Sequence, residues 1–144
     1  MIEEDEAREK IASGWFHAWL GFTAVAIKPE ISSSALHELI TKLDSDGRTK
    51  VFKVNYKDVI EIDNPLPEIP KGYSRAAEVE IIAKDFDGVL HVVMEYGPSA
   101  AELITPKKFE MKSSEAQNIL NSISTLMHRF AGAGLGGFIF VRGK

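Results

Sequence analysis

Arg48, Lys50, Lys53 and Lys57 fall within ten residues that also hold Phe52 and Tyr56 and contain no acid. Cations interleaved with aromatics suit a single-stranded nucleic acid: the cations meet phosphates, and flat rings stack bases at about 1–3 kcal/mol each. Lys107 and Lys108 form a second basic pair, in a region (96–144) where basic residues outnumber acidic ones six to three. The chain as a whole is acidic, with 17 Lys and Arg against 21 Asp and Glu and a net charge of -4. That does not exclude phosphate binding, because the local field governs such contacts.

Strand alternation puts Arg48, Lys50, Phe52, Val54 and Tyr56 on one face and Lys53, Asn55 and Lys57 on the other. Glu61, Asp63, Glu78, Glu80 and Glu95 would occupy the polar sides of neighbouring elements and repel phosphate. A nucleic-acid site is therefore expected on the apolar face, in a groove that the helices leave partly open, lined by Trp15, Trp19, Phe52 and Tyr56. Ordinary core packing competes for every one of these rings and is narrowly favoured, since aromatics dominate cores. Phosphate contact would fall to Arg48, Lys50, Lys53, Lys57, Lys107 and Lys108.

Other chemistries are eliminated in turn. The absence of Cys removes disulfide frameworks, thiol catalysis and Cys-based zinc sites. His17, His37, His91 and His128 are not at metal-ligand spacing from one another. Gly132-Ala133-Gly134-Leu135-Gly136-Gly137 has the letters of a dinucleotide fingerprint, but it follows a helix instead of a strand, and no acid lies downstream. It reads as a helix stop and hinge. Asp85 and Asp87 suit a hairpin turn, and Asp44, Asp46 and Gly47 lack the remaining ligands of a calcium loop. The serines near 32–34 and 113–114 read as helix caps. No nucleophile, base and oxyanion donor can be assembled, so neither an enzyme nor a cofactor is expected.

These residues sit in a chain of 144, 44% hydrophobic, which is enough for one domain with a core. Residues 3–19 favour helix, with Ile11, Trp15 and Trp19 at every fourth position. Phe22–Lys28 reads as a strand. Leu36, Leu39, Ile40 and Leu43 have helical spacing after Ser32-Ser33-Ser34, although a strand is the alternative there. Strands are expected around 52–56, 60–62, 77–81 and 90–96, with Asp85-Phe86-Asp87-Gly88 as a hairpin turn. Asn64–Gly72, with three prolines, is expected to be a loop. A short extended piece precedes Pro106. A long helix from Ser114, boxed by Gln117, buries Ala116, Ile119, Leu120, Ile123, Met127 and Phe130. The fold class is α+β: a single antiparallel sheet of four to six strands, flanked by an N-terminal and a long C-terminal helix, in one domain spanning 1–144.

Five acids in the first ten residues have the wrong sign for an export peptide. The uncharged stretch 11–27 is too short and too diluted by polar residues to span a membrane. A cytoplasmic protein is expected. A glycine-hinged apolar tail over 132–144 is expected to dock on a neighbouring copy and form a homo-oligomer.

The stretch Glu95-Tyr96-Gly97-Pro98-Ser99-Ala100-Ala101-Glu102-Leu103-Ile104-Thr105-Pro106, with Ser114–Leu120 and His128-Arg129-Phe130-Ala131, resembles the archaeal ThermoDBP-related single-stranded-DNA-binding proteins. The resemblance implies an antiparallel sheet flanked by helices, with an aromatic-floored cleft and a basic rim that hold single strands without sequence preference. The chain departs from that type in lacking a heptad run after the long helix. The alternative is a pleckstrin-homology-like module of seven strands and one helix that binds a protein or lipid headgroup. It requires residues 36–43 to be a strand.

Overall fold

Alternating apolar residues at Phe16, Ala18, Leu20 and Phe22 match a second alternating set at Ala77, Val79, Ile81 and Ala83, and these two sets form the centre of the sheet. The computed structural model describes residues 1–132. In chain order the elements are α1 (Glu4–Ala12), β1 (Phe16–Ala26), α2 (Pro29–Asp44), β2 (Thr49–Tyr56), β3 (Ile60–Leu66), β4 (Ile69–Ala83), α3 (Phe86–Tyr96), β5 (Ala100–Thr105) and α4 (Ser113–Gly132). They fall into two units, Met1–Lys108 and a second beginning at Phe109 that contains α4.

The first unit holds a five-stranded antiparallel sheet of order β2-β4-β1-β5, with β3 also paired to β4. β2 and β3 run one after the other along β4, from Thr49↔Ala83 to Leu66↔Ile69. Together the three strands make one long bent hairpin with its tip at Pro67 and Glu68. One sheet face packs Leu36, Ile40 and Leu43 of α2 and Val89 and Val92 of α3 against Leu20, Phe22, Val51, Val79 and Ile81. On the opposite face α1 covers only the end bearing Phe52 and Ile82, through Ala7, Ile2, Ile11 and Trp15. No other helix of this unit lies over that face.

The α+β class and the antiparallel sheet agree with the sequence, and residues 36–43 are helical. The seven-strand count of the pleckstrin-homology-like alternative is therefore not met. Four local expectations need correction. Helix 3–19 ends at Ala12: Gly14 turns the chain at φ 110°, where a side chain would be strained, and Trp15 and Trp19 leave the helix. Residues 64–72 form a hairpin tip instead of a loop. Their prolines are tolerated because β3 is an edge strand with broken register, and β4 loses β1 as a partner beyond Tyr73.

Residues 90–96 are helical. Val89, Val92, Val93 and Tyr96 also have helical spacing, and the Asp85 carboxylate decides between the two patterns by accepting the Gly88 N–H at 2.9 Å as an N-cap. Gly97, at φ 58°, closes the helix. Finally, Ser32–Ser34 lie inside α2, which begins at Pro29 in the first turn. In the second unit, α4 starts at Ser113, the Gln117 amide donates to Asn121, and the expected stripe of Ala116, Ile119, Leu120, Ile123, Met127 and Phe130 is not buried: no residue of this helix is, and Leu120, Ile123 and Phe130 are exposed. Apart from Gly132, the glycine-rich hinge and apolar tail lie outside the described residues.

Candidate nucleic-acid interface

A β-bulge reorganises the basic segment. In the ladder to β4, Val51 opposes Ile81 and Lys53 opposes Glu80, so Phe52 is an extra residue. Strict alternation would separate Lys50 from Lys53 and Lys57. The bulge instead brings all three to one face, opposite Thr49, Val51, Val54 and Tyr56 of the core side. That face is the one α2 and α3 leave uncovered, and β2 is an edge strand of the sheet. The acids of β4 answer the lysines across the ladder. Lys53 Nζ lies 3.7 Å from Glu80, and Lys57 Nζ lies 3.1 Å from Glu78. Glu80 is also drawn down to His17 Nε2 at 2.8 Å and is only 19% exposed, whereas Lys53 is 57% exposed. Surface pairs of this kind contribute about 1 kcal/mol or less, so a phosphate can compete for these ammonium groups. Lys50 is exposed and makes no ion pair among the described residues.

Trp19 shares this face. It is on β1, half-buried, between Glu80 of β4 and Glu102 of β5. The outer edge of its indole reaches over Gly21. A Cβ at Gly21 would come within 2.9 Å of the ring's outermost carbon. Glycine thus makes room for the indole, which a side chain at this position would displace. Two strand spacings, about 10 Å, separate Trp19 from the lysine row.

The remaining aromatics do not join it, so the expected four-ring groove on the apolar face is not formed. α2 and α3 fill that face. Phe52 is 5% exposed beneath α1, with its ring centroid 5.2 Å from His17. Trp15 borders the same small cluster, with Lys10 Nζ 4.8 Å from its ring centroid. Tyr56 packs at the margin of the core side, where its hydroxyl meets His37 Nδ1 at 3.1 Å and Arg75 covers its ring at 5.0 Å. Lys107 and Lys108 are exposed at the end of the first unit. No cluster of three or more potential metal ligands occurs among the described residues.

Arg48 is engaged in a structural clamp. Its Nε and Nη2 donate to the two Asp46 oxygens at 2.8 and 2.6 Å, and Tyr96 adds its hydroxyl to Asp46 at 2.8 Å. Arg48 Nη1 lies 3.3 Å from His91 Nδ1, whose ring in turn meets Asp87 at 3.4 Å. This network ties the end of α2 to β2 and α3. Sequence reading missed it because its partners lie up to 50 residues apart.

The Arg48 hydrogen bonds hold the Asp46 carboxyl well below the usual carboxylate range, against the opposing effect of burial. A lowered folded-state pKa adds stability that is present above the unfolded value. It is lost as pH falls below about 4 toward the folded-state value. Asp46→Asn should cost about 1–2 kcal/mol at neutral pH. Urea melts at pH 7 and pH 3 should show the gap between variant and parent narrowing in acid.

Within the first unit, Trp19 and a row of lysines share the sheet face that α2 and α3 leave open. A search of curated proteins found no match. The MJ0538 family model matches residues 17–134, from the start of β1 to the end of α4, a span that includes Trp19 and the whole lysine row. The chain belongs to the MJ0538 family.

Proposed function

We propose that the chain binds single-stranded nucleic acid without sequence preference, as its resemblance to the ThermoDBP-related proteins implies. One observation carries this reading: the bulge at Phe52 gathers Lys50, Lys53 and Lys57 onto the sheet face where the half-buried Trp19 indole reaches over Gly21. A base stacks on the indole while its backbone follows the edge strand β2, with its phosphates on the lysines. Stacking accepts any base, and the lysines act as point charges, so neither contact reads sequence. The acids between platform and rim, Glu78 and Glu80, are each occupied by a lysine or by His17.

Fluorescence anisotropy with a labelled single-stranded oligonucleotide, a duplex of the same sequence and a salt series tests the proposal. The single strand should bind in preference to the duplex, with affinity falling as salt rises. Replacing Lys53 and Lys57 together by Ala should reduce the log–log salt slope by roughly 1.4, at about 0.7 per phosphate contact on a single strand. Absence of binding at low salt, or an unchanged slope in the variant, would overturn it.

A further inference from the structure

One acid stands in the middle of the open face. Along a single cross-strand row, Trp19 of β1 opposes Glu80 of β4, and Glu80 in turn opposes Lys53 of β2. A strand stacked on the indole and bound at Lys53 must cross Glu80, which lies about 5 Å, one strand spacing, from either. A carboxylate standing upright there would repel phosphate and pair with the ammonium meant for it. It is held low instead. Glu80 Oε1 lies 2.8 Å from His17 Nε2, and since a carboxylate only accepts, the imidazole donates. Its Oε2 stays 3.7 Å from Lys53 Nζ, beyond hydrogen-bond reach.

His17 is itself firmly placed. It precedes Trp19 by two residues on the same face of β1, opposite Ile82, with the Phe52 ring centroid at 5.2 Å, and is 4% exposed. Glu78, the next acid of this face along β4, has no histidine anchor among the described residues; it is 40% exposed and closes on Lys57 at 3.1 Å. We infer that His17 is a positioning residue for nucleic-acid binding: it draws the Glu80 carboxylate toward the covered end of the sheet and so leaves Lys53 free to meet phosphate. This role rests on the reading of the face as a single-strand site. Without the imidazole, Glu80 turns to its other partner, Lys53, and its charge rises between the indole and the lysine row.

A double-mutant cycle between His17 and Glu80 tests the role, read by anisotropy of a labelled oligo-dT over a salt series, with a circular-dichroism melt for each variant. His17→Leu should weaken binding about fivefold near 0.1 M salt and lower the log–log slope by roughly 0.7, the loss of one phosphate contact on a single strand. His17→Gln, whose amide nitrogen can still donate to Glu80, should bind like the parent. In a Glu80→Gln background, His17→Leu should have no effect on binding, because the charge it would release is gone. A histidine that only supports the fold would cost the same in both backgrounds, and that result overturns the inference. If His17→Leu fails to fold, Glu80→Gln and Glu78→Gln decide in its place. Affinity should rise in Glu78→Gln, where an exposed carboxylate is removed, and change less in Glu80→Gln; the reverse order overturns the role. A parent that binds no single strand removes the proposed function and this role together. A parent that binds, with no coupling between His17 and Glu80, removes this role alone.

Discussion

Trp19→Ala should weaken single-stranded oligonucleotide binding ten- to a hundredfold while leaving the protein folded. The size follows from one stacked base, about 1–3 kcal/mol on removal of its aromatic partner. Retention of the fold follows from position: the ring is half-buried on the face opposite the main core, and its neighbours across the ladder are Glu80 and Glu102. A companion variant separates stacking from mere apolar contact. Gly21→Val places a branched side chain where the indole now rests, within 2.9 Å of its edge. The ring must move from its present place, so affinity should fall although the tryptophan is still present. Anisotropy titrations with poly-dT and mixed-sequence strands, alongside tryptophan fluorescence quenching on binding, provide the measurement. Unchanged affinity in Trp19→Ala would remove the platform from the site.

Why was Trp19 visible in the sequence yet placed wrongly? Its spacing from Ile11 and Trp15 fits a helix, and the competing period of two, through Phe16, Ala18, Leu20 and Phe22, begins inside the same window. Only Ser13, Gly14 and Trp15 separate the two elements, and a single glycine does not say whether it ends a helix or sits within one. The same ambiguity turned 90–96 into an expected strand. Leu90, Val92, Met94 and Tyr96 alternate, while Val89, Val92, Val93 and Tyr96 repeat as on a helix, and only the Asp85 cap distinguishes them. By contrast, α2 and the central part of β4 were legible, because in each one period dominated and a core face resulted, whereas β2 was legible as a strand but not in its facing. The lysine row was legible as a composition and illegible as a surface. One extra residue in β2 exchanges the faces of everything before it, and no local residue type announces a bulge. The Asp46, Arg48, His91 and Tyr96 network depends on tertiary proximity and leaves no local trace.

The bulge also decides the second large effect. Phe52→Ala should destabilise the protein by about 3–4 kcal/mol, the cost of emptying a well-packed aromatic site, and leave oligonucleotide affinity within about twofold. Phe52 is 5% exposed and forms its own small core with Ala7 and Ile82, both 0% exposed, against Ile2, Ile11 and Trp15. Its ring faces His17 at 5.2 Å and lies under the Arg8 guanidinium at 5.7 Å. α1 also meets the sheet through the buried Ala7, and just before it Ile2 N–H donates to the Val51 carbonyl at 3.0 Å. Removing the ring therefore loosens α1 and uncovers Ile82 and the His17 imidazole that anchors Glu80. In a chain of this size the loss corresponds to a melting temperature lower by roughly 10 °C. Differential scanning calorimetry reads the stability, and anisotropy at a temperature where both proteins are folded reads the binding. A variant that melts with the parent but has lost affinity would show Phe52 to be a stacking ring reached by the strand, and α1 to be a lid instead of a part of the core.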